Sequence, residues 1–175
     1  MQLRSKCEPW FACENLRVST ADHLENQGQD DAYGWYKRAG ELLATGNPHA
    51  ALLLIDRLMS VEPQSASVME MYARALFDTS DFRAAAMAFD VLIQFSPDND
   101  YAHFGKGMCL WRMQQFIRAR DELGMASVMR PDRLEYARAY GQVKATLRAR
   151  IEAGLPLNGP IENQDQFDLI LGDNT

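Results

Sequence analysis

Cysteine is scarce in this sequence, and so are long apolar runs. The chain of 175 residues has three cysteines, Cys7, Cys13 and Cys109, and no CxxC pair. An odd number without such a pair argues against a disulfide framework and against a zinc site, and it is typical of a reducing compartment. The longest apolar runs, at 50–55 and 84–89, are far shorter than the roughly 20 residues of a membrane-spanning helix. These absences predict a cytoplasmic protein that does not enter a membrane.

Motifs of enzyme active sites are also missing. The histidines are scattered, and neither HExxH nor GxSxG occurs. The segment GKG at 105–107 lacks the spacing of a phosphate-binding loop and falls within a helical pattern. We therefore predict that the protein is not an enzyme and has no metal or cofactor. His103 is interpreted as a satisfied core residue rather than a catalytic base.

The negative charge is concentrated at the two ends of the chain. The formal net charge is −6. Residues 18–32 and 155–175 contain acids and no base, whereas the region between them is almost balanced. A nucleic-acid-binding protein would show a basic face and a raised isoelectric point. We therefore expect a protein or peptide partner and no nucleic acid.

The sequence does contain a repeat. Pro63, Pro97 and Pro131 stand 34 residues apart, and self-similarity at such a period is typical of a solenoid. With units at 32–65, 66–99 and 100–133, small residues recur at two equivalent positions and large apolar residues at two others. The small ones are Ala39, Ala73 and Gly107, then Ala51, Ala85 and Ala119; the large ones are Leu42, Leu76 and Leu110, then Ile55, Phe89 and Leu123. This pattern indicates helices that approach closely at the small residues and pack through the large ones.

These residues resemble the tetratricopeptide repeat, a helix–turn–helix unit of 34 residues. Trp35 and Leu42 match the first-helix pattern of that family in the first unit, and Tyr72, Ala73 and Leu76 match it in the second. The resemblance implies an all-α solenoid of three units.

Other stretches are similar to small stand-alone tetratricopeptide-repeat proteins of actinobacteria. They are Gly34-Trp35-Tyr36, Leu76-Phe77-Asp78 and the runs at 100–105 and 143–147. This similarity implies a bacterial protein, and the family implies no established partner.

The segments outside the repeats differ from them. Residues 134–154 read as one capping helix ended by Gly154, which covers the last apolar face of a solenoid. Residues 1–31 are polar without periodicity, which predicts a disordered tail. Val18 is an alternative bacterial start, from which residues 1–17 would be an upstream extension. Residues 155–175 form an acidic C-terminal tail.

Helix caps are expected before the first helix of each following unit. Ser65, a residue within 98–100, and Asp132 stand at those positions, and their side chains are of the types that cap helix N-termini.

The resemblance also implies which residues of the first helices line the concave groove of the solenoid. In the third unit they form an aromatic and methionine stripe, with basic residues beside it and in the capping helix. The candidate binding residues are Tyr36, Lys37, Arg74, Phe77, Tyr101, Phe104, Met108, Trp111, Arg112 and Arg138. Aromatic residues with arginine dominate interface energetics, and methionine adapts to several shapes. In the alternative interpretation, Tyr101, Phe104 and Trp111 are packing residues.

We predict a non-enzymatic interaction scaffold or adaptor that binds a peptide segment in this groove. A dicarboxylate clamp, which some repeats of the family use, needs cationic and amide side chains at five positions. These positions hold Tyr36, Gly40, Met71, Tyr101 and Gly105, so a clamp is disfavoured.

A dedicated chaperone is the alternative function. The length, the acidic balance and the third unit, YAHFGKGMCL, resemble three-repeat type III secretion chaperones. The region after the third unit lacks the further helix pair of such chaperones.

The acidic tail contains a compact apolar cluster, Phe167, Leu169, Ile170 and Leu171. An exposed cluster of this kind would be a liability. In one interpretation the tail packs on the convex side or on the capping helix. In the other, the tail or a neighbouring copy's tail docks in the concave groove, with Asp165 and Asp168 against basic residues there.

Overall fold

The computed structural model describes residues 31–63 and 65–161, and their regular structure is entirely α-helical. The seven helices in these residues are α1 (31–44), α2 (Pro48–Val61), α3 (Ala66–Asp78), α4 (Phe82–Phe95), α5 (Asp100–Arg112), α6 (Phe116–Met129) and α7 (Leu134–Glu152). The predicted all-α fold is confirmed. Asp31, at the predicted boundary of the N-terminal tail, is helical and is the first described residue of α1. The rest of that predicted tail and the apolar cluster at 167–171 lie outside the described residues. None of these helices combines the length and apolar character that a membrane span requires.

The helices form a solenoid in which each one packs against the next in sequence. In addition, α3 touches α5 and α5 touches α7, so the first helices of successive units lie side by side. The short turns within each pair make the two helices antiparallel neighbours. The result is three helix pairs followed by a seventh helix, with α3, α5 and α7 lining one face.

Small residues set the distance between helices. Ala51, Ala85 and Ala119 are completely buried at equivalent positions of the second helices. On α5, a Cβ added at Gly107 would lie 2.7 Å from Cγ of Leu123 on α6. Protein interiors are too closely packed to absorb such an overlap without a shift, so α5 and α6 are held at a distance that suits glycine.

Gly105 has a related role toward α4. The second unit has Phe89 at the position where the other units have the smaller Ile55 and Leu123. A Cβ added at Gly105 would lie 2.6 Å from Cε1 and Cε2 of the Phe89 ring. The larger Phe89 side chain on α4 is therefore accommodated because Gly105 on α5 has no side chain.

Side-chain helix caps are present at two of the three positions predicted from the sequence. The Ser65 side chain accepts a hydrogen bond from the backbone of α3, and Asn99, within 98–100, does the same for α5. The predicted cap at Asp132 is wrong. Its carboxylate accepts two hydrogen bonds from Arg130, at 3.0 and 2.9 Å, and Arg133 occupies the N-cap position of α7 without a side-chain bond. A bidentate arginine contact is stronger than a neutral hydrogen bond.

After α7 the chain turns at Gly154 (φ +65°) and folds back over the third unit. Residues 154–161 are called the strap here. Arg150, buried at the end of α7, donates to the carbonyls of Pro156 and Gly159, and its guanidinium lies 4.7 Å from the ring centroid of Phe116. The strap is therefore fixed to both α7 and α6.

The strap also completes the first turn of α6. The N-cap residue of α6, Gln115, makes no side-chain cap. Instead the Asn158 side chain accepts a hydrogen bond from the backbone N–H of Ile117 at 3.2 Å, and the N–H of Gly159 donates to the carbonyl of Gln114 at 3.0 Å. A helix N-terminus needs such acceptors for its free N–H groups.

Candidate functional site

A cavity opens on the concave face between α3 and α5. Its volume is about 190 Å³, and it is called the α3–α5 cavity here. The lining residues are Arg74, Phe77 and Asp78 of α3, Phe89 of α4, and Tyr101, Phe104, Gly105 and Met108 of α5. The α5 residues lie one helical turn apart, which places them on one stripe. The cavity is thus an apolar recess with charged side chains at its α3 edge.

The aromatic side chains of the cavity are supported from behind by other aromatic rings. Tyr101 meets Phe89 edge-on, with ring centroids 6.1 Å apart, and Phe104 stacks on Tyr136 of α7 at 4.5 Å. Phe77 meets Phe82 edge-on at 5.3 Å. Such contacts fix the rings before any ligand arrives, which reduces the entropy that binding would cost.

A hydrogen bond anchors the capping helix beside this cavity. The Tyr136 hydroxyl donates to Oδ2 of Asp100 at 2.9 Å, joining α7 to the first turn of α5. Burial, and then this hydrogen bond, raise the pKa of Tyr136. The phenol therefore stays protonated at neutral pH and can keep donating, which holds the face of α7 against Phe104.

Acidic groups outnumber basic ones at the centre of the concave face. Nε of Arg74 lies 3.9 Å from Oδ2 of Asp78. Burial raises the pKa of Glu70, and the nearby Asp100 raises it further, while Arg74 and Asn99 act in the opposite direction. At this point Arg74, together with Arg130 at 4.0 Å from Oδ1 of Asp100, faces the carboxyl groups of Glu70, Asp78 and Asp100.

Five of the ten residues chosen from the sequence line the cavity together. They are Arg74, Phe77, Tyr101, Phe104 and Met108. The sequence pattern missed three residues that line the cavity, Asp78, Phe89 and Gly105, and also Tyr136, which stacks on Phe104. Asp78 is one position beyond the stripe on α3, and Phe89 and Tyr136 come from other helices, so no spacing within α3 or α5 could indicate them.

The other five chosen residues lie outside the cavity. Tyr36 packs against the first core cluster, and Lys37 is exposed on α1. Trp111 is half-buried against the third core cluster, to which α7 contributes Val143 and Leu147.

The two remaining residues are basic. The Arg112 guanidinium lies 5.7 Å from the ring centroid of Phe82. Arg138 is exposed on α7. The predicted groove is therefore wider than the cavity that these helices form.

The opposite side of α5 carries a polar network. Nδ1 of His103 lies 2.7 Å from Oε2 of Glu122, and its Nε2 lies 3.2 Å from the carbonyl of Pro97. Lys106 Nζ lies 2.7 Å from Oε1 of Glu122 and 2.5 Å from Oδ1 of Asp90. The network joins α4, α5 and α6. Both ring nitrogens of His103 have partners, as a structural histidine requires.

Two further observations concern a possible nucleophile and possible metal ligands. Burial raises the pKa of Cys109 to about 12, so its thiol stays protonated and unreactive at neutral pH. Within residues 31–63 and 65–161, no group of three or more His, Cys, Asp or Glu side chains is arranged to hold a metal ion.

Comparison with known proteins identifies the family. A family model described as tetratricopeptide repeat matches residues 36–100 and 73–126, which together span more than half of the chain. The chain belongs to the tetratricopeptide-repeat family. No curated protein sequence matches this tetratricopeptide-repeat chain.

Several solved tetratricopeptide-repeat structures share the fold. The first such domain of Spaghetti (RPAP3), bound to the HSP90 peptide SRMEEVD, is 14% identical with a TM-score of 0.63, covering 67% of this chain and 93% of its own. MamA from Desulfovibrio magneticus RS-1 is 19% identical with a TM-score of 0.63, covering 71% of each chain. The type III secretion translocator chaperone SycD of Yersinia enterocolitica is 13% identical with a TM-score of 0.60, covering 73% of this chain and 88% of its own. At these identities the likeness establishes the fold alone.

Proposed function

We propose that this protein is a non-enzymatic scaffold or adaptor that binds an extended segment of a partner protein along its concave face. The observation that carries the proposal is the α3–α5 cavity, where half-buried Phe77, Tyr101, Phe104 and Met108 surround an open recess. Aromatic side chains in pockets are the typical anchors of protein interfaces. Because other rings already hold them in place, they can receive an apolar side chain without much reorganisation.

The charges around the cavity indicate what the bound segment carries. Glu70 and Asp78 lie on α3 beside the recess, and burial makes the ionised form of Glu70 costly. A lysine or arginine of the partner next to its apolar anchor would offset that cost. An acidic segment would meet these carboxylates instead. We therefore propose an apolar segment with a neighbouring basic residue as the ligand.

The candidate residues outside the cavity would contact the flanks of a longer segment. We propose that Lys37 and Arg112, together with Arg74 at the edge of the cavity, set its register through charged contacts. Tyr36, Trp111 and Arg138 would add contacts further along the same face. These contributions are expected to be smaller than those of the cavity residues, because exposed charged contacts contribute little to affinity.

The test is a selection followed by measured affinities. A phage-displayed random peptide library is selected against the full-length protein, and the enriched peptide is titrated against variants. Loss of a buried anchor typically costs about 2 kcal/mol, or roughly thirtyfold in Kd, so Phe77→Ala and Met108→Ala should weaken binding on that scale. Leu53→Ala, on the exposed face of α2, should leave the affinity unchanged. Thermal unfolding of each variant checks that its fold persists. Unchanged affinity in folded Phe77→Ala and Met108→Ala would overturn the proposal.

The alternative is a dedicated chaperone that holds an extended segment of a secreted protein. The resemblance of the third unit to type III secretion chaperones supports this function. Within the described residues, however, α7 is followed by the strap rather than by a further helix pair. Co-purification of one secretion substrate with the native protein in a stable complex would favour the chaperone function over a general adaptor.

A further inference from the structure

The convex face of the solenoid carries a second groove, between α4 and α6. It has a volume of about 440 Å³ and is called the α4–α6 groove here. The lining residues are Arg83, Ala86, Met87 and Asp90 of α4, Lys106, Leu110 and Met113 near the floor, and Gln115 and Arg118 at the start of α6. Leu110 is buried, whereas Met87 is 65% exposed. The groove thus presents an apolar floor and an exposed methionine on its wall.

The charge of this groove differs from that of the α3–α5 cavity. Lys106 is already paired with Asp90 and Glu122. Arg83 and Arg118 form no ion pair within the part of the chain that the structure describes. Two exposed cations therefore stand at a groove whose only lining carboxylate is already neutralised. Such a surface suits an acidic segment with apolar side chains.

The strap brings the C-terminal end of the chain to this groove. The Gly159 N–H is bound to the carbonyl of Gln114, and the next residue, Gln115, lines the groove. Asn158 is bound to Ile117, which precedes the groove residue Arg118. Phe167 lies six positions after Ile161, enough for an extended reach of about 20 Å. The tail therefore starts at the rim of the α4–α6 groove.

We propose that residues 162–175 dock in the α4–α6 groove of the same chain. The apolar cluster at 167–171 would cover Met87, Leu110 and Met113. Asp165 and Asp168 would lie beside Arg83 and Arg118. Of the two placements that the sequence left open, the convex one is favoured because the concave centre is acidic and the strap leads to the convex side.

Docking would cover the α4–α6 groove on the convex face and leave the concave face free for a partner. A tethered segment competes at an effective concentration near millimolar. Free segments of similar chemistry would therefore be excluded from this groove. The α3–α5 cavity would remain open, so occupation by the tail would not inhibit the binding proposed above.

Methionine oxidation tests the docking, because the methionines report on each surface separately. Met87 and Met113 line the α4–α6 groove, Met108 lines the α3–α5 cavity, and Met125 is 49% exposed on α6 outside both. Full-length protein is treated with hydrogen peroxide, and oxidation at each methionine is followed by mass spectrometry. Since oxidation follows exposure, a docked tail should make Met87 react about fivefold more slowly than Met125, although Met87 is the more exposed of the two helix positions.

Two full-length variants should release that protection. Phe167→Asp combined with Leu169→Asp removes the apolar contact, and Arg83→Glu combined with Arg118→Glu removes the charge contact from the other side. Both variants should raise the oxidation rate of Met87 to that of Met125 and leave the oxidation rate of Met108 unchanged. Arg148→Glu, an exposed charge reversal on α7 away from both grooves' lining residues, is the control and should change neither oxidation rate.

Three outcomes would overturn the proposal. The first is equal oxidation of Met87 and Met125 in the wild type. The second is slow Met87 oxidation that neither double variant alters although circular dichroism shows both to be folded. The third is faster oxidation of Met108, rather than of Met87, in the variant that carries Phe167→Asp and Leu169→Asp. That result would place the tail in the α3–α5 cavity.

Discussion

The two sides of helix α5 differ in how closely neighbouring helices pack against them. Toward α4 and α6 it presents Gly107 in close contact with Leu123 and a polar network in which His103 and Lys106 are satisfied. Toward α3 it presents Tyr101 and Met108, half-buried around an open cavity. The first side is closely packed against α4 and α6 beneath the α4–α6 groove, whereas the second is only partly covered. A helix with apolar residues on two sides is thus explained by one packed face and one available face.

The largest expected effect concerns the close contact between α5 and α4 behind the cavity. Gly105→Ala would push a Cβ into the buried Phe89 ring, and overpacking of this kind should lower the free energy of unfolding by about 3 kcal/mol. Phe89→Leu in the same chain should restore much of the loss by making space. Denaturant unfolding measures both.

Gly141→Ala is the matched control, because a Cβ added there meets nothing within 4 Å. It should raise stability by up to about 1 kcal/mol through helix propensity. A Gly105→Ala variant as stable as Gly141→Ala would show that the contact with Phe89 is not tight.

The next effect concerns the polar network. Glu122→Ala removes the shared partner of His103 and Lys106 and should cost about 2 kcal/mol, since it leaves mostly buried polar groups without their partner. Glu41→Ala breaks the exposed pair with Arg38 and should cost less than about 0.5 kcal/mol. Urea unfolding of the two variants compares them. Equal costs would mean that the network contributes no more than a surface ion pair.

On the available side the stability effect should be smaller. Met108→Ala removes a half-buried side chain that already faces an opening, so we expect a loss of about 1 kcal/mol, at the low end for core truncations. Both residues pack against the third core cluster, but Met108 also borders the cavity and tryptophan is the larger side chain, so Trp111→Ala should cost more. Thermal melts of the two variants test this order. If Met108→Ala melts lower than Trp111→Ala, then Met108 belongs to the core and the distinction between the two sides is wrong.

The smallest effect is a pH dependence at Glu70. Burial raises the pKa of Glu70 in the folded protein, so folding favours the protonated form. Stability from this residue is present below its unfolded pKa, about 4.3, and is lost as the pH rises through the folded value. Glu70→Gln should therefore be slightly more stable than wild type at pH 7, and the difference should vanish near pH 4. Unfolding at the two pH values checks it, and a difference that grows toward acid would contradict the sign.

Much of this fold could be predicted from the sequence, because the repeat period and the buried small residues are properties of each unit by itself. Ala51, Ala85 and Ala119 were found from spacing alone, and all three are completely buried. The strap could not be found in that way. The bond between Asn158 and Ile117 joins residues 41 positions apart, and no local pattern encodes it.

The cavity was predictable in part for the same reason. Tyr101, Phe104 and Met108 follow from helical spacing on α5. The surroundings of Trp111 depend on how α7 packs, and the acidic centre depends on side chains that α3 and α5 bring together only in the folded protein. Spacing identifies a face, whereas packing of the neighbouring helices decides which part of it stays open.

The measurement that tests the central claim most directly is a methyl NMR titration. Full-length protein with ¹³C-labelled methionine methyl groups is titrated with the peptide selected from the library. We expect the Met108 resonance to shift and saturate with the measured Kd, while Met87 and Met113 on the convex face stay unchanged. Shifts at Met87 and Met113 with an unmoved Met108 would place the binding site on the convex face and contradict the account.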